Sequence, residues 1–296
     1  MTPTSPKLYL IQVGHWDRLW PLLREAAVEL YKDGCLGIAK GVAYSGLLSF
    51  FPVLTTLASI LVQARAEDVS RTIARLLYDV VPPGSEDVVR RLFVVHGERP
   101  KYVLVAAAVL ALWGASGALM SMMEGFRAIY KIPHGRSFLK ERGMALLLVF
   151  TTALPVLGAS ALIVFGKRAE RDVINWLHLF HEGSDLGGWV LLAGQALRFI
   201  LASASIIVAN AFVYHFGPNR KQSFAQVFPG AALASLLWLL ATLVFGWYVS
   251  YVANYNLLYG SVGAGLALLV WMYVLSIIVL FGCEFNAARE RLDPAA

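Results

Sequence analysis

Residues 42–64 form a run of 23 amino acids without a charged side chain, which reads VAYSGLLSFFPVLTTLASILVQA. The hydrocarbon core of a bilayer is about 30 Å thick, and roughly 20 consecutive apolar residues cross it as an α-helix. A helix that is apolar on almost every side needs a buried or lipid environment. We therefore expect residues 42–64 to span a membrane.

The polar residues of this run recur at steps of three or four, which places them on one face of a helix. They are Ser45, Ser49, Pro52, Thr56, Ser59 and Gln63. Serine and threonine commonly join packed membrane helices. A polar face can also form one wall of a substrate path. The stripe therefore predicts either neighbouring helices or a cavity, and it leaves both explanations open.

The composition extends this expectation to the whole chain of 296 residues. Only 15% of the residues are charged and 58% are hydrophobic, whereas soluble domains have about 25% charged residues. The net charge of +6 could indicate nucleic acid in a soluble protein. In a membrane protein, basic loops stay on the cytoplasmic side and contact anionic lipid. We expect membrane lipids, and no nucleic acid, as partners.

Apolar runs of similar length recur along the chain, and they predict an all-α integral membrane protein with six transmembrane helices. The predicted spans are residues 42–64, 102–123, 144–165, 188–214, 225–252 and 262–283. Together they form a transmembrane domain over residues 42–284.

Amphipathic segments are expected outside the spans. Residues 1–41 form a cytoplasmic segment with an amphipathic helix, and residues 65–101 are predicted to form two short helices at the outer interface. Residues 285–296 are a cytoplasmic tail.

The distribution of basic residues predicts the orientation. With Arg198 set aside, fourteen Lys and Arg residues lie on the side of the termini and ten on the opposite side. Because cytoplasmic loops carry the excess of Lys and Arg, we expect both termini in the cytoplasm. Cys35 and Cys283 then lie on the reducing side, where a disulfide is not expected.

Small residues and helix ends suggest contacts between helices. Gly114 and Gly117 in the second span, and Gly260 and Gly265 at the start of the sixth, allow close helix approach. Glu124 and Arg127 lie one turn apart at the end of the second span and are able to pair.

Arg198 is the charge predicted deepest in the membrane, and an ionisable residue there is by default a functional candidate. Gln195 and Ser205 share its helical face. We hypothesise that this face looks across a polar cavity at Ser45, Ser49 and Thr56 of the first span.

Catalytic and metal-binding signals are weak. His178, His181 and Glu182 could bind a metal, but no motif completes the site and a solvated loop is the better explanation. Hydrolysis of RNA needs a metal cluster or positioned acid–base groups, and the histidines expected on the cytoplasmic side, His15, His134 and His215, are scattered along the sequence. We expect no enzyme activity, no metal and no cofactor.

Four blocks of sequence resemble the YihY/BrkB membrane protein family. They are AYSGLLSFFPVL, GASGALMSMMEGFRAIYKI, YHFGPNRKQSFAQVFPGAALASLLWLL and YGSVGAGLALLVWMYVLSIIVLFGCEFNAA. The resemblance covers residues 25–290. It implies a multi-pass protein of the bacterial plasma membrane, the inner membrane where there are two. One member gave the family the name of a virulence factor, and an older ribonuclease BN label is regarded as a misassignment. No catalytic residues are established for the family.

The sequence and the resemblance are consistent with three functions. The first is a transporter or flippase-like protein for an anionic or amphiphilic, lipid-related substrate, supported by the polar stripe, by Pro52 and Pro155 within spans, and by Arg198. The second is a non-transport scaffold in envelope assembly or lipid homeostasis. The third is a ribonuclease, which the absence of clustered ligands in the sequence disfavours.

Overall fold

The computed structural model describes residues 15–63, 101–176, 186–251 and 255–292. These residues form seven α-helices and contain no strand. The helices are α1 (His15–Lys32), α2 (Cys35–Gln63), α3 (Lys101–Ile129), α4 (Phe138–Trp176), α5 (Leu186–Phe216), α6 (Phe224–Tyr251) and α7 (Tyr255–Leu292). In this part of the chain, α2 to α7 are long and apolar enough to cross a membrane. The predicted all-α fold with six membrane helices is confirmed.

Two predicted features lie outside the described residues. One is the pair of interfacial helices within residues 65–101, of which only Lys101 is described as the first residue of α3. The other is the loop that contains His178, His181 and Glu182.

The six long helices are arranged as a closed ring. Each packs on the next in chain order, from α2 on α3 through to α6 on α7, and α7 packs back on α2. Helix α7 also contacts α3 across the ring. Because consecutive helices are antiparallel neighbours, the α1–α2, α3–α4 and α5–α6 connections lie at the same end as the C-terminal part of α7.

Helix α1 precedes the ring and packs on its last member. Ala26 of α1 is fully buried in a small cluster with Phe285 and Ala288 of α7, while Trp20 and Tyr31 remain exposed. The amphipathic helix predicted in residues 1–41 therefore buries one face against α7. Gly34 has φ of +69°, a left-handed conformation that glycine adopts without strain, and it turns the chain from α1 into α2.

Every membrane helix except α6 is longer than its predicted span. Helix α3 continues to Ile129, α4 begins at Phe138, and α7 continues to Leu292. Hydropathy marks the apolar part of a helix, whereas main-chain hydrogen bonding continues into charged turns. One consequence is a correction: Arg142, expected in the loop between the second and third spans, lies inside α4 and inside its candidate membrane span.

Glycines bring two pairs of helices into close contact. A methyl carbon at Gly114 of α3 would stand 2.6 Å from the Ser49 Cβ of α2, and one at Gly117 would stand 3.7 Å from the Ser45 Oγ. Gly230 of α6 lies against the Gly282 carbonyl of α7. Gly265 has open space where a side chain would be, so it mediates no close helix contact in the described part of the chain. The surroundings of Gly260 lie outside the described side chains.

Candidate functional site: a cavity at the centre of the ring

A cavity of about 420 Å³ lies inside the ring, and all six membrane helices contribute to its wall. Its lining consists mostly of small and apolar side chains. The lining residues are Ser49, Ala115, Ala118, Leu119, Met122, Val149, Thr152, Ala153, Val156, Ile206, Ala209, Asn210, Val213, Trp238, Leu275, Ser276 and Val279. No charged side chain is among them, so the cavity suits an apolar or weakly polar group.

The polar side chains of the wall are bonded mainly within the protein. Ser49, Thr152 and Ser276 donate to carbonyls of their own helices at 2.7–2.9 Å. Such bonds let hydroxyl groups lie in an apolar environment at low cost. Asn210 of α5 donates through Nδ2 to the Ser235 Oγ of α6 at 3.0 Å.

Only some of the residues predicted for a substrate path line this cavity. Ser49 lines the cavity, while Ser45, Pro52 and Thr56 do not. Ser45 faces Gly117 of α3, and the Thr56 hydroxyl donates to the Pro52 carbonyl at 2.8 Å. The stripe of the first span therefore serves helix packing at Ser45 and contributes to the cavity at Ser49.

Arg198, Gln195 and Ser205 do not line the cavity either. Arg198 is half-buried, Gln195 is exposed, and the Ser205 hydroxyl donates to the Leu201 carbonyl at 2.9 Å. Helix α5 contributes residues closer to its C-terminal end instead, among them Asn210. The expected face-to-face arrangement of Arg198 with Ser49 is therefore not the arrangement around this cavity.

Charged side chains are concentrated at the end of the ring where α7 ends. Arg291 bonds the fully buried Glu284 of its own helix at 2.6 Å and also reaches Glu25 of α1 at 3.3 Å. Lys131 pairs with Asp33 of the α1–α2 turn. These ion pairs join α1 to α7 and the α3–α4 loop to the α1–α2 turn.

Two further arginines hold the α5–α6 connection at the same end. Arg220 forms a bidentate pair with Glu290 at 2.7 and 2.8 Å, and its guanidinium lies 4.3 Å over the ring of Tyr130. Burial raises the pKa of the Tyr130 hydroxyl, which stays protonated. Arg136 donates to the carbonyls of Gly217, Phe216 and Pro218, and burial lowers the pKa of its guanidinium.

The structure corrects the pairing of Glu124 with Arg127 that the sequence predicts at the end of α3. Arg127 forms its ion pair with Glu141 in the first turn of α4, whereas the Glu124 side chain is exposed. The α3–α4 turn brings Glu141 to Arg127 on the buried side of α3. In the described ranges, no group of three His, Cys, Asp or Glu side chains could hold a metal ion.

Comparison with known proteins identifies the family of this chain. Residues 26–295 match the family described as virulence factor BrkB. The chain belongs to the BrkB family. A putative ribonuclease-like protein of Bacillus subtilis, YfkH, is 28% identical over 84% of this chain and 88% of its own length.

Other relatives of this BrkB family chain carry the name UPF0761 membrane protein. The one from Vibrio vulnificus is 28% identical over 86% of this chain and 78% of its own length. The one from Chromobacterium violaceum is 28% identical over 92% of this chain and 63% of its own length, so the chain spans less than two thirds of that relative. No solved structure matches the chain.

Sequence reasoning missed most of the cavity of this BrkB family protein. Asn210 and Ser276 could have indicated the cavity in the sequence, because polar side chains inside apolar spans face the interior of a bundle. Most other residues of the wall are alanine, leucine, isoleucine and valine, which also occur on lipid-facing surfaces and do not by themselves indicate a cavity.

Proposed function

We propose that this chain is a transporter or flippase-like protein of the bacterial inner membrane, and that its central cavity receives the apolar part of a lipid-related, amphiphilic substrate. The observation that carries the proposal is the cavity of about 420 Å³ that is lined by residues of all six membrane helices. Its size is within the range of about 300–1,000 Å³ found for small-molecule sites.

The chemistry of the wall supports an amphiphile. Membrane lipid tails are as apolar as leucine, so an apolar wall alone gives a substrate little reason to leave the bilayer. The Asn210 amide, in the same cavity wall as Ser49, Thr152 and Ser276, adds a polar group that bulk lipid tails do not offer. A substrate with a hydroxyl or amide near its apolar chain would gain a hydrogen bond there.

The test is lipid movement by the purified protein in proteoliposomes, followed with a fluorescent phospholipid and a membrane-impermeant quencher. We expect the protein to increase the fraction of probe that changes leaflet. Ala209→Phe places a ring in the cavity and should reduce this movement several-fold. Ala204→Phe is the matched control, because Ala204 lies on the same helix and is exposed.

Both outcomes are informative once the two variants are shown to insert at normal levels. Equal movement with Ala209→Phe and Ala204→Phe would contradict a role for the cavity. Absence of protein-dependent movement with both anionic and zwitterionic probes would contradict transport of phospholipids and favour the scaffold function.

We further propose that the chain is not a ribonuclease, although the printed name of its relative YfkH is ribonuclease-like. The proposal is supported by the scattered His, Asp and Glu side chains of the described residues. RNA cleavage by the protein should fall toward zero through purification. Cleavage at constant specific activity that a point substitution in this chain removes would overturn the proposal.

A further inference from the structure

Arg142 lies in the second turn of α4, and its side chain reaches the middle of α3. The Arg142 Nη2 donates to the main-chain carbonyl of Trp113 at 3.0 Å, and its Nη1 lies 3.3 Å from the Met120 sulfur. The guanidinium carbon is 4.1 Å from the centre of the Trp113 ring. A peptide carbonyl, a thioether and an aromatic face therefore surround the cation, and all three are uncharged.

The position of Trp113 sets the depth of this guanidinium in the membrane. Trp113 lies 11 residues after Tyr102 and 16 residues before Ile129, the ends of the candidate span. At about 1.5 Å per residue, those distances are roughly 17 Å and 24 Å along α3. The positive charge therefore lies beside the central part of a membrane-spanning helix.

The charge of Arg142 is not balanced by the protein side chains described around it. Its sequence neighbour Glu141 pairs with Arg127, and within the described part of the chain no carboxylate forms an ion pair with Arg142. An arginine has five N–H donors, of which one meets a carbonyl and one a sulfur. The Trp113 side chain beside it is 67% exposed, so the site opens on the outer surface of the ring.

We propose that Arg142 and Trp113 form a binding site for the phosphate group of an anionic phospholipid, on the outer surface between α3 and α4. A guanidinium binds a phosphate through two parallel hydrogen bonds. The exposed indole face holds the guanidinium in place and offers an apolar surface to the lipid. A bilayer can thin locally around an intramembrane arginine, which allows a headgroup to reach this depth.

We expect the ligand of this site to be a phospholipid rather than free phosphate. Free phosphate is strongly hydrated and does not enter the hydrocarbon region, whereas a phospholipid is already in the bilayer with its phosphate attached to apolar chains. The proposal of this site rests on the contacts of Arg142 and Trp113. It does not depend on transport through the central cavity. A binding experiment therefore tests it separately from the proposed function.

The experiment measures thermal unfolding of the purified full-length protein in a neutral detergent. Dioleoyl phosphatidylglycerol, dioleoyl phosphatidylcholine or inorganic phosphate is added in a concentration series. We expect phosphatidylglycerol alone to raise the Tm. Arg142→Gln should need about tenfold more phosphatidylglycerol for the same rise, because a charge-assisted pair of hydrogen bonds is lost. Arg142→Lys, which keeps the charge without the fork, should lie between them.

Lys140→Gln is the matched control. Lys140 is exposed in the first turn of α4, two residues before Arg142, and its substitution removes the same charge near the same helix end. The control should retain the wild-type response to phosphatidylglycerol. Equal loss in Lys140→Gln, an unchanged response in Arg142→Gln, or an equal rise with inorganic phosphate would each overturn the proposal.

A second measurement covers the case in which Arg142→Gln lowers stability by itself. In nanodiscs that contain phosphatidylglycerol brominated near its headgroup, the emission assigned to Trp113 is the difference between the wild type and Trp113→Phe. We expect this emission to be quenched more by brominated phosphatidylglycerol than by brominated phosphatidylcholine at the same mole fraction. Equal quenching by the two lipids would contradict a selective site.

Discussion

Tyr214 of α5 donates its hydroxyl hydrogen to the main-chain carbonyl of Val279 of α7 at 2.6 Å. Both residues are buried, and the Tyr214 ring also meets the Phe126 ring of α3 edge to face at 5.7 Å between centroids. One side chain thus joins three helices of the ring, at the end where the charged side chains are concentrated.

Tyr214→Phe should lower the free energy of unfolding by about 1–2 kcal/mol, because a buried hydrogen bond is lost while the ring contacts remain. The measurement is the apparent Tm in detergent. Tyr44→Phe is the control, since Tyr44 is an exposed tyrosine of α2. Equal Tm values for the two variants would show that the bond to Val279 does not stabilise the ring.

The number and order of the membrane helices could be predicted from the sequence, because a long apolar run has one stable conformation in lipid. The ends could not. Helix α4 begins at Phe138 and contains charged residues in its first turns, where hydropathy no longer distinguishes helix from loop. The hydropathy pattern therefore predicts a loop at Arg142, where the structure has a helix.

The candidate site was harder to predict than the helices. The sequence identifies the polar face of α2, but which residues of that face meet another helix depends on helix rotation and tilt, which packing sets. Ser49 lies both against Gly114 and in the cavity wall. The pairing of Arg127 with Glu141 depends on the geometry of the α3–α4 turn and is invisible in the helical spacing that suggested Glu124.

The contact of α6 with α7 at Gly230 leads to a second prediction. A methyl group at Gly230 would overlap the Gly282 carbonyl and the Asn286 side chain. Asn286 there accepts from the Gly230 N–H at 2.7 Å and donates to the Val227 carbonyl at 3.0 Å. Gly230→Ala should therefore destabilise the protein by at least ~1–3 kcal/mol through overpacking.

Gly246→Ala provides the comparison on the same helix. A methyl group at Gly246 meets open space, and alanine favours a helix over glycine by roughly 0.5–1 kcal/mol. We expect an unchanged or higher Tm for this variant and a clearly lower Tm for Gly230→Ala. The opposite order would contradict the close approach of α6 and α7.

The orientation of the chain in the membrane is a third prediction. Basic side chains including Lys131, Arg136 and Arg220 lie at one end of the ring, and the bias of Lys and Arg predicts that this end is cytoplasmic. A membrane-impermeant maleimide added to intact cells should label Tyr102→Cys and miss Asn219→Cys. Both positions are exposed and lie at opposite ends of the ring.

The labelling has a low background, because Cys35 and Cys283 are both buried. Asn219→Cys should become reactive once the membrane is permeabilised, which shows that the thiol is accessible. Labelling of Asn219→Cys, but not of Tyr102→Cys, in intact cells would reverse the orientation.

The last prediction concerns Arg198, whose role in a substrate path remains a hypothesis. Arg198 is half-buried within the candidate span Leu192–Phe216 of α5, and it lies outside the wall of the central cavity. Arg198 lies six residues after Leu192, the start of that span, and an ionisable residue within a membrane span is a candidate for a functional role. If Arg198 guides an anionic substrate, Arg198→Gln should abolish lipid movement in proteoliposomes while the protein still inserts at normal levels. Arg198→Lys should restore part of it, because the charge returns without the bidentate fork.

Arg24→Gln, at an exposed position of α1, is the control and should leave the lipid movement unchanged. Full activity of Arg198→Leu would show that Arg198 has no part in the path.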